Sequence, residues 1–259
     1  MSIMLLLACS LQNCQDLAFE SVASGADAKL KASKQAKSTN DIHAFTISHV
    51  APQYTSEYDQ FLVYVDGTGG LIAVDWGDGS SVTYDLGTEY GLELSKRYES
   101  PGRYLITITG DLKNITGFKS SYGQGPFDDI NLRPLTGLTS LRVSNISGPQ
   151  VIDLTHNKQL VDLSLYDMSE LREIRLPKQH ALWAVSVAAS TNLTTETVDA
   201  LINSVYRTAI KKQIWGFLHV NVSYYEDGTT EMVGPPSARS VTQLRELQNI
   251  YGWEIHPIM

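Results

Sequence analysis

Asp75 and Asp78 sit three residues apart in "DWGDG", and two carboxylates this close suggest an acid pair or a calcium site. Calcium takes about 6–8 oxygen ligands, and no further set of oxygens is evident nearby. An aspartate between two glycines reads instead as a turn former, its carboxylate accepting from backbone N–H groups just ahead. The pairs Asp128/Asp129 and Glu226/Asp227 also lie beside Gly or Pro, where turns put them. A glycosidase needs two acids facing each other at about 5–9.5 Å, and no such pair stands out. The six histidines show no HxH or HxxxH spacing, so no local zinc pair is marked. Cys9 and Cys14 are the only cysteines, which leaves the body of the chain without a cysteine-held metal or a disulfide of its own. "GTGG" (Gly67–Gly70) lies between two strand-like runs and offers no helix N-terminus to a phosphate. Nucleophile-elbow, Walker and dinucleotide motifs do not occur. The expectation is a protein without catalysis, cofactor or metal.

Two kinds of element carry these residues. Between residues 42 and 110, apolar positions run or alternate with period two in "FLVYV" (Phe61–Val65), "LIAVDW" (Leu71–Trp76), "VTYDL" (Val82–Leu86) and "RYLITIT" (Arg103–Thr109). Asp66-Gly67, Gly69-Gly70, Asp78-Gly79 and Pro101-Gly102 punctuate them as turns. This spacing predicts a small antiparallel sandwich. "VDWGDGSSVTYDL" followed by "KRYESPGRYLITITGD" resembles the PKD-type, Ig-like β-sandwich. The resemblance implies Trp76 as a core anchor, a tight turn at Gly77 and Gly79, and Tyr98 and Tyr104 packing opposing strands.

After residue 110 the period changes to eleven. Leu141/Val143, Ile152/Leu154, Leu163/Leu165, Ile174/Leu176 and Val185/Val187 follow one another at that interval. Leu138, Leu160, Leu171 and Leu182 each stand three residues ahead of a pair. Two steps make a twenty-two-residue coil, within the roughly 20–29 residues of leucine-rich repeats. "IDLTHNKQLVDLSL" resembles the repeat units of leucine-rich-repeat surface lipoproteins of gut-dwelling Gram-negative anaerobes. The residue between each apolar pair faces solvent, and alternate steps share a face. That groups Arg142, Ser164 and Ser186, with Ser144 and Tyr166 just beyond, as the candidate ligand-binding face. On the other side it places Asp153 and Arg175 one coil apart, an expected ion pair.

A coil this short needs caps. "TTETVDALINSVYRTAIKK" (Thr194–Lys212) has Val198, Leu201, Ile202, Val205 and Ala209 at helical spacing, with lysines at its end. "IWGFLHVNVSYY" (Ile214–Tyr225) alternates as a strand, Ser240 with Gln243 reads as a capping box, and Gly252 ends the last helix. The fold expected is mainly β: an N-terminal PKD/Ig-like β-sandwich (42–110), then a short leucine-rich-repeat solenoid with an α/β C-terminal cap (111–259).

"MSIMLLLACS" resembles the lipobox of bacterial lipoproteins. It implies a signal-like segment over residues 1–19, with Cys9 lipidated after cleavage. Without that resemblance the stretch reads as an apolar N-terminal strand. Residues 20–41, rich in Ala, Ser and Lys and free of aromatics, read as a flexible tether. A net charge of −8 argues against nucleic acid, which calls for a basic face. No run approaches the ~20 apolar residues of a membrane span, so membrane attachment is expected through the lipid alone. The sequons at Asn114, Asn145, Asn192 and Asn221 are read as incidental. Together the resemblances imply an outer-membrane lipoprotein on a bacterial cell surface, binding or adhering to an extracellular protein or glycan through the repeat face. The alternatives are a surface glycan-active enzyme, marked by a deep pocket with two facing acids, and an architectural spacer without a ligand. An outward-facing Trp215 and Phe217 would favour a partner over a spacer.

Overall fold

The computed structural model describes residues 43–52, 60–87, 91–120, 127–144, 146, 148–190, 192–220, 222–224, 230–232 and 234–256. The first six strands are β1 (Phe45–Ala51), β2 (Phe61–Gly67), β3 (Leu71–Asp75), β4 (Ser81–Asp85), β5 (Leu92–Lys96) and β6 (Gly102–Gly110). Alternation decides which face is covered: Phe45 and Ile47, Phe61, Val63 and Val65, Ile72 and Val74, Ile106 and Ile108 are all buried. β6 pairs antiparallel with β1 and β3, β3 with β4, and β2 with β5. Edge-on ring contacts between Phe45 and Phe118 (5.4 Å) and between Phe61 and Trp76 (6.0 Å) tie the two layers together. Trp76 lies in the core as expected, with Tyr98 Oη donating to its carbonyl at 2.8 Å. Gly77 has φ +74°, and a Cβ there would stand 2.6 Å from the Leu105 carbonyl oxygen. Only glycine fits that turn.

Strand pairing with these elements continues beyond Gly110. After a one-turn helix at Leu112–Asn114, β7 (Ile115–Ser120) pairs antiparallel with β2, and β8 (Phe127–Asn131) returns to β1. The chain then alternates between layers through β9 (Ser140–Ser144), β10 (Val151–Asp153), β11 (Asp162–Tyr166), β12 (Glu173–Arg175) and β13 (Ala184–Ala188). β7, β9, β11 and β13 pair in parallel, and so do β10 and β12. Leu141, Leu163 and Val185 stand in one register, Val143, Leu165 and Val187 in the next, and Ile152 opposite Ile174. The twenty-two-residue interval is therefore real strand pairing, and these side chains are all buried. Each such burial contributes about 1.5–3 kcal/mol. Ile130 and Leu132, also buried, stand twenty-two residues ahead of Ile152 and Leu154. They extend the series by a step that the eleven-residue pairs had not included.

The expected ion pair is corrected. Asp153 and Arg175 are register partners, but each is held elsewhere. Arg133 reaches Asp153 with Nε at 3.1 Å and Nη2 at 2.9 Å, and Arg175 clasps Glu173 at 2.8 and 2.7 Å. Glu173 lies two residues from Arg175 on the same strand face, so the planar guanidinium meets both of its oxygens.

At the C-terminal end, α1 (Thr195–Lys212) is capped by the Thr194 side chain and buries Val198, Leu201, Ile202, Val205 and Ala209, the five residues expected. β14 (Phe217–Val220) pairs in parallel with β13, whereas β15 (Val222–Tyr224) pairs antiparallel with β16 (Thr230–Met232). The single strand expected over 214–225 is thus two. α2 (Ala238–Tyr251) starts on Ser237, not on Ser240. Asp199 of α1 accepts from the Ser237 N–H at 2.9 Å and fixes that start, which leaves Ser240 and Gln243 buried inside the helix. Gly252 ends it in the left-handed region, as expected, and β17 (Glu254–His256) pairs with β14. The strand orders are β4-β3-β6-β1-β8 and β17-β14-β13-β11-β9-β7-β2-β5, with β10-β12 and β15-β16 as two-stranded sheets. One contiguous core runs from Phe45 to Ile255.

Candidate functional site

Strand alternation that buries Phe118, Leu141, Leu163, Val185, Leu218 and Ile255 turns the next residue of each strand outward. The result is a row across all eight strands of the large sheet: Glu93, Tyr64, Lys119, Arg142, Ser164, Ser186, His219 and His256. Seven steps of about 4.8 Å make it roughly 34 Å long. The flanking rows of the same parity hold Ser144, Tyr166 and the buried Ala188 on one side, and Ser140, Asp162, the buried Ala184, Phe217 and Glu254 on the other.

The structure brings the five expected residues together. Arg142, Ser164 and Ser186 are direct register neighbours, and Ser144 and Tyr166 are neighbours two residues on. Arg142 is 60% exposed and lies over Asp162, with Nε and Nη2 at 2.9 and 2.6 Å from one carboxylate oxygen. Ser140 Oγ donates to the same oxygen at 3.1 Å. The pair adds only about 0–1 kcal/mol to stability; its effect is to hold the guanidinium at a set place on the face. Ser164 and Ser186 are small and half-buried, so the row is low between Arg142 and the imidazole of His219. Tyr166 is 40% exposed.

At the β17 end, His219 and His256 meet edge to face at 6.1 Å, and His256 Nε2 lies 3.0 Å from Glu254 Oε1. Burial lowers the pKa of His219, and the neighbouring His256 lowers it further. Beside them, where β13 and β14 begin, Trp183 and Trp215 are 46% and 73% exposed, with ring centroids 6.3 Å apart. Trp215 is outward as its alternation suggested, while Phe217 is only half-exposed. Sequence reasoning did not single out Asp162, Trp183, His219 or His256. Asp162 had a signal, since it shares the outward parity of Ser164. Trp183 lies just ahead of its strand, outside any period.

The acidic candidates are occupied by local structure. Asp75 Oδ1 accepts from Gly77 N at 2.9 Å. Asp78 accepts from Ser80 N and Oγ at 2.9 and 2.6 Å and pairs with Lys96 Nζ at 2.8 Å. Burial alone would raise the Asp78 pKa; the bonds from Lys96 and Ser80 outweigh it and lower the value to about 2. Asp128 pairs with Arg103, and Asp129 accepts from Ile130 N. Among the described residues no group of three or more His, Cys, Asp or Glu is placed to hold a metal ion. No helix among them is long and apolar enough to cross a membrane. Asn114 and Asn192 donate their side-chain amides to Gly69 O and Ser169 O. Cys9, the 20–41 stretch, Glu226/Asp227, Asn145 and Asn221 lie outside the described residues.

Comparison with protein-family models, curated proteins and solved structures gives no significant match in any of the three.

Proposed function

We propose that the chain is an outer-membrane lipoprotein of a bacterial cell surface that binds an extracellular protein or glycan through the outward face of its large sheet. In this reading its first strands are a PKD-type sandwich and its parallel strands a leucine-rich-repeat solenoid. Tyr104 Oη, which donates to Ser100 O four residues upstream at 2.8 Å, supports the Ig-like comparison, because such tyrosine corners recur in those sandwiches. The twenty-two-residue parallel register supports the repeat comparison. The lipobox-like "LLLACS" and the aromatic-free stretch after it support the anchor and its tether.

One observation carries the binding reading: a row of side chains across eight strands, none needed for the core behind it, with the Arg142 guanidinium held at its centre. A rigid strand face loses little entropy on binding. The test is a screen of the Cys9→Ala chain against protein and glycan arrays, beside the same chain carrying Arg142→Ala and Tyr166→Ala. A ligand whose signal falls in the substituted chain supports the reading. Silence on both arrays favours a spacer and contradicts it.

A further inference from the structure

We infer that Trp183 and Trp215 form a stacking platform for a neutral glycan at the β13–β14 end of the large sheet. This rests on the binding reading above and narrows it to one ligand class and one place.

The two indoles are exposed, yet the backbone beneath them is fixed. Ile214 O accepts from the buried Trp253 Nε1 at 2.8 Å, and Gly216 O accepts from Glu254 N at 2.9 Å. Phe217 N donates to Trp183 O at 2.8 Å, and Trp183 N donates to Val161 O at 3.1 Å. A Cβ on Gly216 would stand 2.1 Å from Trp183 O and 2.9 Å from a Trp253 ring carbon. Glycine at this position is what lets the Trp215 segment close up against Trp183. The strand-end bonds recur in earlier steps, Thr139 N to Thr116 O and Val161 N to Thr139 O; here, with Gly216, they leave two large apolar rings side by side in water. Buried, each would have stabilised the core. Rigid, exposed aromatics on an ordered backbone bind at low entropic cost.

The geometry selects the ligand. The rings are tilted by 50°, so they offer two separate faces and not one flat patch. A pyranose has an apolar C–H face that stacks on an indole and a rim of hydroxyls that needs hydrogen-bond partners. Successive units of a sugar chain are rotated about the linkage, which suits two non-coplanar rings. Partners for the hydroxyls stand beside the platform: Glu254 is in register with Phe217, and His256 is joined to Glu254. A stable protein interface needs about 800 Å² from each side. Two tryptophans supply at most about 300–500 Å² even when wholly covered; the half-exposed Phe217 adds a little apolar surface, and Glu254 opposite it is charged. The Glu254 carboxylate and the net charge of −8 disfavour anionic lipid or an acidic polysaccharide.

Affinity electrophoresis of the full chain in gels carrying neutral polysaccharides (β-glucan, mannan, xylan, starch) tests this, with phosphatidylcholine vesicles in a separate co-sedimentation arm. The expected result is retardation by at least one polysaccharide, weakened about tenfold or more by Trp183→Ala and by Trp215→Ala and less by Trp215→Phe. Melting curves of the variants confirm folding, which the 73% exposure of Trp215 makes safe. No retardation by any neutral polysaccharide overturns the inference. So does retardation that survives both alanine variants, or tryptophan-dependent capture by vesicles or by a protein on the array. Absence of retardation together with a protein ligand that depends on Arg142 and Tyr166 would overturn the platform while leaving the binding reading standing.

Discussion

Asn157 Nδ2 lies 2.7 Å from the carbonyl oxygen of Leu135, twenty-two residues earlier, and donates its second hydrogen to Leu132 O at 3.0 Å. The amide is fully buried. One side chain therefore gives a second hydrogen bond to two carbonyls of the preceding turn, each of which also accepts from a backbone N–H, Leu135 N to Leu132 O and Leu138 N to Leu135 O. Parallel strand pairing fixes the spacing of adjacent steps, and this amide ties one turn to the next.

Asn157→Ala should cost about 1–3 kcal/mol, because it removes two buried hydrogen bonds at about 0.5–1.5 kcal/mol each and leaves a small void, while both carbonyls keep their backbone donors. Urea unfolding measures it. A loss under 1 kcal/mol, roughly one ordinary exposed contact, would mean the turns are held by packing alone.

Leu163 stands between Leu141 and Val185 in the middle of the stack, with no exposure. Leu163→Ala should cost about 2–5 kcal/mol. Leu163→Asp should unfold the repeat strands, since an unpaired buried carboxylate costs several kcal/mol more. An unchanged melting curve for the aspartate variant would contradict the register.

His180 is buried against α1, and its pKa is lowered to about 4, first by burial and then by the charges of Lys212 and Arg207. Leu182 N donates to Nδ1 at 3.3 Å, which leaves the ring proton on Nε2, facing Ser204 and Thr208 at 3.0 and 3.2 Å. A second proton on Nδ1 would point at an N–H. The folded pKa lies below the unfolded one, so between about pH 6.5 and 4 the unfolded chain binds the extra proton. Stability should fall as pH drops through that window, by up to roughly 3 kcal/mol, and the slope should flatten above it. Chemical unfolding at pH 7 and pH 4.5 checks this against His180→Gln, which should lose most of that slope.

Cys9→Ala should move the protein from the membrane fraction to the soluble fraction. Retention of the variant in membranes would remove the lipid anchor from the account.

Much of this fold was legible because burial repeats. Val198 to Ala209 of α1 and the pairs from Leu141 to Val187 are periodic in the sequence, since each faces a core that recurs at the same interval. Gly252 was legible for a different reason: few other residues take its left-handed backbone without strain. Partner choice was not legible. Asp153 had Arg175 opposite it, yet Arg133 arrives from the preceding coil and Glu173 competes from the same strand. Spacing ranks none of these. Ser237 and Ser240 are equally good caps in isolation, and Asp199, thirty-eight residues away, decides between them. Ile130 and Leu132 keep the twenty-two-residue interval in the sequence, yet β8 pairs with β1 and not with β10. The face of Arg142, Ser164 and Ser186 followed from parity. The aromatic end did not, because Trp183 precedes its strand and meets Trp215 only through the closure at Gly216.

The most direct measurement of the central claim, that the outward face of the large sheet is the binding surface, is the affinity of the array-identified ligand for a chain carrying bulk on that face. Ser164→Gln with Ser186→Gln fills the low part of the row without touching the core, and Glu173→Gln on β12 changes the other sheet as a control. The account predicts a loss of about tenfold or more for the serine pair, unchanged binding for the control, and unaltered melting for both. Equal affinities in all three chains would contradict it.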